Sequence, residues 1–169
     1  SSLPPPGSTL RVADYPVVSN PFGLALEQGI DLNAMASDDP IEADATMVRL
    51  AEETSSNCAA HVAFIYRLVG AEPKHCTPMQ YGGLYLETDR SILDSLADHQ
   101  QAIIFVDAGK DAYLDFVSDL PGAVFAWDPE ATGFSLEAMR ALRAGPLATP
   151  LPGSEYRLEL DHSTLINHV

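Results

Sequence analysis

The sequence has few basic residues. Its 169 residues contain nine Lys and Arg against 24 Asp and Glu, which gives a formal charge of −15. Nucleic-acid backbones and anionic membrane surfaces are bound mainly through Lys and Arg, so the composition argues against both as partners. Two interpretations of the acidity stay open: solubility, or attraction of a basic protein partner or a cation.

Long apolar runs and cysteines are also scarce. Apolar runs such as residues 102–106 have the length of a strand, far below the roughly 20 residues that span a bilayer. We therefore expect no membrane insertion. The two cysteines, Cys58 and Cys76, form no CxxC pair, and both free thiols and a single disulfide are consistent with their spacing.

Motifs of common enzyme classes are missing. The chain contains no GxGxxG, GxxxxGK(S/T), GxSxG or HExxH. These patterns mark dinucleotide sites, phosphate-binding loops, serine hydrolases and zinc proteases. The sequence therefore indicates no particular cofactor, and it favours a binding function over catalysis.

The C-terminal half predicts an α/β fold. Apolar strands at Gln101–Val106, at 123–127 and from Leu147 onward alternate with helical patterns. The helices are expected from residue 88 or 89, over 111–120, and after the cap Ser135. Parallel strands need crossover connections, so this order predicts a small parallel sheet built from βα units. Alternating residues at 156–160 predict a further edge strand.

The N-terminal half predicts helices behind an extended leader. Residues 22–28 suggest a short helix. Asp39 can cap a helix that ends at Gly70 and is either continuous or broken in its middle. Its apolar stripe comprises Ile41, Ala45, Val48, Ala59, Val62, Tyr66 and Val69.

One domain is expected between two short terminal segments. Residues 1–8, with three consecutive prolines, predict an extended leader. Residues 9–160 form the single α/β domain, and 161–169 form a polar tail. Pro16 interrupts an extended segment at 9–19 and confines any strand there to a sheet edge.

Two carboxylates follow predicted strands. Asp107 and Asp128 each end an apolar strand, and ligands gather where the carboxyl ends of parallel strands meet. The pair can bind a cation or share acid–base chemistry; alternatively, each side chain caps the helix or turn that follows. Trp127 and Gly109 would line the ligand pocket, although an aromatic residue at a strand end is more often part of the core.

A second candidate is a metal site. Cys58 and His61 lie three residues apart on the predicted helix and share a face, and His75 and Cys76 follow. Four N and S ligands suit tetrahedral zinc, and a Cys with a His also suits nucleophilic catalysis. Adjacent His75 and Cys76 match no standard zinc spacing, so structural roles are the favoured interpretation.

A third candidate is an acidic stripe. Asp111, Asp115 and Asp119 recur every four residues on a predicted helix, in line with Asp107. Such a stripe is usually a solvated outer face, because like charges at this spacing repel. A docking surface for a basic partner is the alternative.

Residues 89–149 resemble part of a known enzyme superfamily. The segments 120–128 (LPGAVFAWD), 131–138 (ATGFSLEA) and 145–147 (GPL) are similar to a strand, loop and helix late in the barrel of the uroporphyrinogen decarboxylase superfamily. The resemblance implies a barrel enzyme that acts on a tetrapyrrole or another small ligand. A complete barrel needs about 200 residues or more, so it implies a partial or diverged relative.

The resemblance does not carry over the zinc site of its methyltransferase branch. In that branch the strand matching 103–109 holds a zinc-binding His and Cys. Here the matching positions read Val106, Asp107, Ala108 and Gly109. The zinc ligands of that strand are therefore absent.

Two functional hypotheses follow from the sequence. The first is a non-catalytic binding or assembly module whose acidic surface docks a protein partner or a second copy of the chain. The alternative is a diverged uroporphyrinogen decarboxylase-like enzyme that acts on a small ligand through Asp107 and Asp128.

Overall fold

The computed structural model of the chain describes residues 3–153 and 155–159. Its strands are β1 Thr9–Arg11, β2 Val17–Ser19, β3 Ala63–Leu68, β4 Gln101–Val106, β5 Val124–Ala126, β6 Leu147–Pro150 and β7 Glu155–Glu159. Its helices are α1 Pro21–Glu27, α2 Leu32–Asp38, α3 Pro40–Ala59, α4 Pro78–Gln80, α5 Leu86–Asp94, α6 Leu114–Val117, α7 Pro129–Thr132 and α8 Leu136–Leu142. A 3-10 turn covers Val12–Asp14, and a π-helical turn, Tyr81–Tyr85, joins α4 to α5.

The strands form one sheet in the order β1-β7-β6-β5-β4-β3-β2. Strands β2 to β6 are parallel and lie side by side in chain order. Strand β7 is antiparallel to β6, and β1 is antiparallel to β7. Each crossover between parallel strands carries at least one helix, which confirms the predicted α/β class with its sheet of βα units.

The sheet curls because its two outer strands are neighbours in the chain. Arg11 at the end of β1 and Val17 at the start of β2 are six positions apart, a span of at most about 22 Å in a fully extended chain. In a flat seven-stranded sheet the outer strands would lie about 29 Å apart. The short connection therefore requires curvature, and the helices cover the convex face.

The two faces of the sheet bury different residues. Ile104 of β4 and Phe125 of β5 pack under the helices in the larger core. Their neighbours Ile103 and Ala126 belong to a smaller cluster on the concave face. Because successive side chains of a strand point to opposite faces, each residue's position along its strand decides which of the two environments it reaches.

The long N-terminal helix ends earlier than predicted. Helix α3 begins after its cap Asp39 and ends at Ala59, not at Gly70, and residues 63–68 form strand β3 instead. The predicted apolar stripe is also wrong, since Ile41 is 84% exposed. The buried face consists of Ala43, Thr46, Leu50, Thr54 and Cys58. Two buried threonines made this face look polar in the sequence.

Three further elements differ from their predictions. Asp89 lies inside α5 and is buried, instead of capping the helix. The helix predicted over residues 111–120 is confined to Leu114–Val117. Strand β7 lies between β1 and β6, not at an edge. The short helix predicted at 22–28 is confirmed as α1, and β1 and β2 are the two edge strands of the sheet.

The leader contacts the concave face of the sheet. Leu3 is half-buried and packs against the smaller cluster, whereas Pro5, Pro6 and Gly7 are exposed. The predicted tail, residues 161–169, lies outside the described residues. Among residues 3–153 and 155–159, no helix combines the length and the apolar character that a membrane crossing needs.

Candidate functional site

The carboxyl ends of β3, β4 and β5 form a polar rim on the concave face. Arg67 is in register with Phe105, and Phe105 with Ala126. Asp107 lies two positions after Phe105, and Asp128 lies two positions after Ala126. Strand alternation therefore directs both carboxylates to the face of the sheet that Arg67 occupies. We call this rim, together with one side chain of β7, the mouth; it consists of Arg67, Asp107, Asp128 and Tyr156.

An ion pair joins two sides of the mouth. Nη2 and Nε of Arg67 approach Oδ2 of Asp107 at 2.6 and 2.7 Å. The two side chains are 38% and 42% exposed, so solvent or a ligand can reach both charges. Water screens such a pair and limits its worth to about 1 kcal/mol or less. The contact therefore orients the guanidinium more than it stabilises the fold.

Asp128 begins helix α7. Its Oδ1 accepts hydrogen bonds from the amides of Glu130 and Ala131 at 2.9 and 3.1 Å, and Pro129 occupies the first turn of the helix. This is the capping role that the sequence offered as one alternative. The cap also fixes the carboxylate at the edge of the mouth.

Tyr156 lies between the two carboxylates and the apolar interior. Burial, followed by the negative charges of Asp128 and Asp107, raises the pKa of its phenol to about 12. Its ring meets Phe105 edge to face, with centroids 5.6 Å apart. The hydroxyl therefore stays protonated at neutral pH and can donate a hydrogen bond at the mouth.

An apolar cavity of about 280 Å³ opens beneath the mouth. It runs along the concave face of the sheet between β1 and β5. Its lining consists of Leu10, Val12, Ile65, Ile103, Phe105, Ala126, Gly153 and Tyr156. Polar groups at the rim and apolar groups below are the usual composition of a small-ligand site.

Gly109 lies in the loop that follows β4. Its amide donates a hydrogen bond to Oε1 of Glu72 at 3.0 Å, and Glu72 is 6% exposed. Asp111, two residues later, has a left-handed backbone with φ of 63°, a conformation that Asp tolerates better than most residues. The loop is thus held by a buried carboxylate beside the predicted site.

Trp127 faces away from the mouth. It is fully buried, packs beside Phe125 in the core under the helices, and donates from Nε1 to the carbonyl of Phe134 at 2.7 Å. Strand alternation explains this orientation, because Trp127 is one position from Asp128 and so points to the opposite face. The prediction that it lines a ligand pocket at the strand end is wrong.

The predicted metal set is not assembled. In the described part of the chain, no three His, Cys, Asp or Glu side chains are grouped so as to hold a metal ion. Both cysteines are free and buried. His61 follows α3 instead of sharing its face with Cys58, because the helix ends at Ala59. The fourth candidate, His75, packs its ring against Phe22.

Cys58 is also a poor nucleophile. Burial raises the pKa of its thiol to about 12, so almost none of it is the reactive thiolate at neutral pH. The backbone carbonyls of Cys58 and His61 both accept hydrogen bonds from the Gln100 side-chain amide, at 2.9 and 2.8 Å. This segment therefore contributes to the fold and not to a reactive centre.

The acidic stripe is interrupted. Helix α6 spans only four residues, so Asp111 and Asp119 lie outside it, and Asp115 alone remains within. Asp119 bonds to Arg90 at 3.0 Å. The predicted continuous acidic helix face is not formed.

A further carboxylate, Asp89, lies buried under the helices. Asp89 accepts hydrogen bonds from the hydroxyls of Tyr66 and Tyr81 at 2.7 and 2.8 Å. The side-chain amide of Asn20 lies 3.2 Å from both of its oxygens. Burial raises the pKa of Asp89 to about 6, while these hydrogen bonds lower it. The network joins β3, α5 and the start of α1, which is a structural role.

Two residues of the mouth were missed in the sequence. Arg67 is the only charged residue between positions 62 and 69, and a lone arginine in an apolar strand was the available signal. Tyr156 had no local signal, because its position depends on the antiparallel pairing of β7 with β6.

Comparison with known proteins gives no relative. No protein-family model matches the chain, and no curated protein or solved structure matches it.

Proposed function

We propose that the chain is a binding module that holds a small ligand at the mouth of its curled sheet. The observation that carries the proposal is the meeting of an ion pair, a second carboxylate and a half-buried phenol above an apolar cavity. A few polar groups that fix orientation, placed over an apolar pocket, are what small-molecule sites commonly contain.

The size and charge of the site suggest the class of ligand. A volume of about 280 Å³ is near the lower end of ligand pockets, which run from roughly 300 to 1,000 Å³. The site therefore suits a compact apolar body better than a tetrapyrrole. The mouth carries one guanidinium and two carboxylates, so a head group that donates hydrogen bonds or bears a positive charge fits best.

The contacts of the two carboxylates favour binding over catalysis. Asp107 is engaged by Arg67, and Asp128 is engaged by the amides of α7. A general base must reach the proton that it removes, and either side chain would first have to exchange these partners. Both are better suited to fixing a ligand in place.

A second candidate function is catalysis at the same mouth. The observation in its favour is the run of five parallel strands in chain order, two of which are followed by a carboxylate at the carboxyl end. Enzymes with (β/α) barrels place their active residues at that end. In this reading the chain is a partial or diverged relative of the uroporphyrinogen decarboxylase superfamily. Asp107 and Asp128 then carry the acid–base chemistry, and Tyr156 donates a hydrogen bond.

A thermal-shift screen tests the proposal. The probes are small compounds that each combine an apolar body with an amine, an amide or a carboxylate. Ala126→Leu fills the cavity from inside, and Asp107→Asn removes a carboxylate of the mouth together with its ion pair to Arg67. The control Arg49→Gln removes another exposed ion pair, on α3.

The expected result separates the variants. A compound that raises the Tm of the wild type should also raise the Tm of Arg49→Gln. It should leave the Tm of Ala126→Leu unchanged and shift the Tm of Asp107→Asn less, because the head group loses an anionic partner. Compounds that stabilise wild type and Ala126→Leu equally would refute binding at the cavity. Mass spectrometry of each stabilising compound after incubation then separates binding from turnover, since only an enzyme changes the compound's mass.

A further inference from the structure

The helical face of the molecule carries a long groove. Its narrower end, about 350 Å³, lies between α2, α3 and the π-helical turn. Its broader end, about 770 Å³, lies between α3 and α5. Val48 and Thr88 line both ends, so the two depressions adjoin, and we treat them together as one groove. Along α3 it runs from Pro40 to Ser56, about 24 Å at 1.5 Å per residue.

The groove presents apolar side chains to solvent. Val48 is 58% exposed and Leu84 is 43% exposed. The small side chains Ala51, Ser55 and Ser91 line the broader end, which leaves room for a second helix to pack closely. Two exposed apolar side chains in one groove offer a partner helix apolar anchor points.

The π-helical turn shapes one wall of the groove. Such turns are rare and are frequently found at functional sites. Gly83 within it lines the groove, and a Cβ added there would meet no atom within 4 Å. The wall is therefore open to a partner at this position and is not filled by the chain's own side chains.

The charged side chains that line the groove are acidic. Asp44 lies at the narrower end, and Glu52 and Glu87 lie at the broader end. Arg90 approaches Glu87 at 3.6 Å, but it also contacts Asp119 at 3.0 Å. The groove therefore keeps a negative rim around an apolar centre, in a chain whose formal charge is −15.

We propose that this groove docks a basic amphipathic helix of a partner protein. Its apolar side chains, spaced by three and four residues, pack on Val48 and Leu84, as amphipathic helices do in hydrophobic grooves. Its Lys and Arg side chains pair with the acidic rim. A length of about 24 Å accommodates a helix of about 16 residues.

Charge argues against the other occupants. A second copy of this chain would bring another acidic surface to the acidic rim, and the two would repel. An anionic membrane is repelled in the same way. This proposal uses α3, α5 and the π-helical turn, so it stands or falls independently of ligand binding at the mouth.

The test uses a designed peptide as the probe. It is a labelled 16-residue peptide designed as a helix. Leu lies at positions one, four, five and eight and continues at the same spacing along one face, and Lys occupies the flanking positions. A second peptide carries Glu in place of Lys, and a third has the same composition in scrambled order. Fluorescence anisotropy measures binding to the full chain at low and at high salt.

Paired variants locate the site. Leu84→Asp lies in the groove, and Leu142→Asp is its control, because Leu142 has a similar exposure of 48% on α8. Glu52→Lys reverses a rim charge, and Glu137→Lys is the matching exposed change on α8. Unchanged thermal unfolding of each variant keeps loss of binding distinct from loss of folding.

The Lys peptide should bind, and salt should weaken its binding. Leu84→Asp should reduce affinity about tenfold or more, as expected at the centre of an interface. Glu52→Lys, on the rim, should reduce it less and make binding less sensitive to salt, while the two controls bind as the wild type does. Three results would overturn the proposal: no binding of the Lys peptide, equal binding of the Glu or scrambled peptide, or equal effects of the groove and control variants.

Discussion

Asp89 makes the stability of the protein depend on pH in a defined direction. The side chain is 1% exposed, and burial raises its pKa from 3.8 to about 6 against the opposing effect of its hydrogen bonds. Between these two values the folded state holds the proton that the unfolded state releases. The stabilisation that this bound proton gives the folded state is therefore complete below about pH 4, and it is lost as the pH rises through 6.

The structure also sets the size of this effect. Each pKa unit corresponds to about 1.4 kcal/mol, so a rise from 3.8 to about 6 amounts to about 3 kcal/mol. Asp89→Asn keeps the shape of the side chain but does not titrate. Between pH 4 and pH 7.5 the wild type should lose about 3 kcal/mol of unfolding free energy relative to this variant. The other carboxylates titrate in both proteins and cancel in the difference.

Urea denaturation at a series of pH values measures the effect. Trp127 is the only tryptophan of the chain and is fully buried, so its fluorescence reports unfolding. Asp94→Asn is the control, because Asp94 is exposed on the same helix. Parallel stability curves for wild type and Asp89→Asn would refute the reasoning, as would a wild type that gains on the variant with rising pH.

Two further predictions concern packing and thiol reactivity. Gly122→Ala should lower the unfolding free energy by about 1–3 kcal/mol, because the new Cβ would lie 2.6 Å from Cδ1 of Ile104. In the same denaturant titration the control Gly83→Ala should leave the unfolding free energy unchanged, because its new Cβ meets no atom within 4 Å. Cys58 and Cys76 are free and buried, so a thiol reagent should label them slowly in the native protein and rapidly in urea. Native labelling at the unfolded rate would contradict their burial.

The placement of Asp107 and Asp128 at one edge of the sheet was predictable from the sequence. Asp107 and Asp128 follow apolar runs separated by a helical segment, and parallel strands bring such ends to one edge. Alternation along the strand places the side chain of Trp127 on the opposite face from Asp128. The wrong prediction that Trp127 lines the pocket came from treating a neighbour of Asp128 in sequence as its neighbour in space.

Strand β3 was not predictable from its periodicity. Residues 63–68 continue the three- and four-residue spacing of the preceding helix, and a short apolar run fits a strand and a buried helix equally well. Arg67 lies in this strand, so its place in the mouth was missed for the same reason. The position of Tyr156 depends on the pairing of β7 with both β6 and β1, which is a long-range feature that no local pattern encodes.

The most direct test of ligand binding at the mouth is a map of amide chemical shifts. Isotopically labelled protein is titrated with the compound that most raises the Tm of the wild type. We predict the largest shifts at Phe105, Asp107 and Tyr156, with saturation at one equivalent, and no comparable shifts along α3. Saturable shifts confined to other parts of the chain, or no saturable shifts with any stabilising compound, would contradict the proposed site.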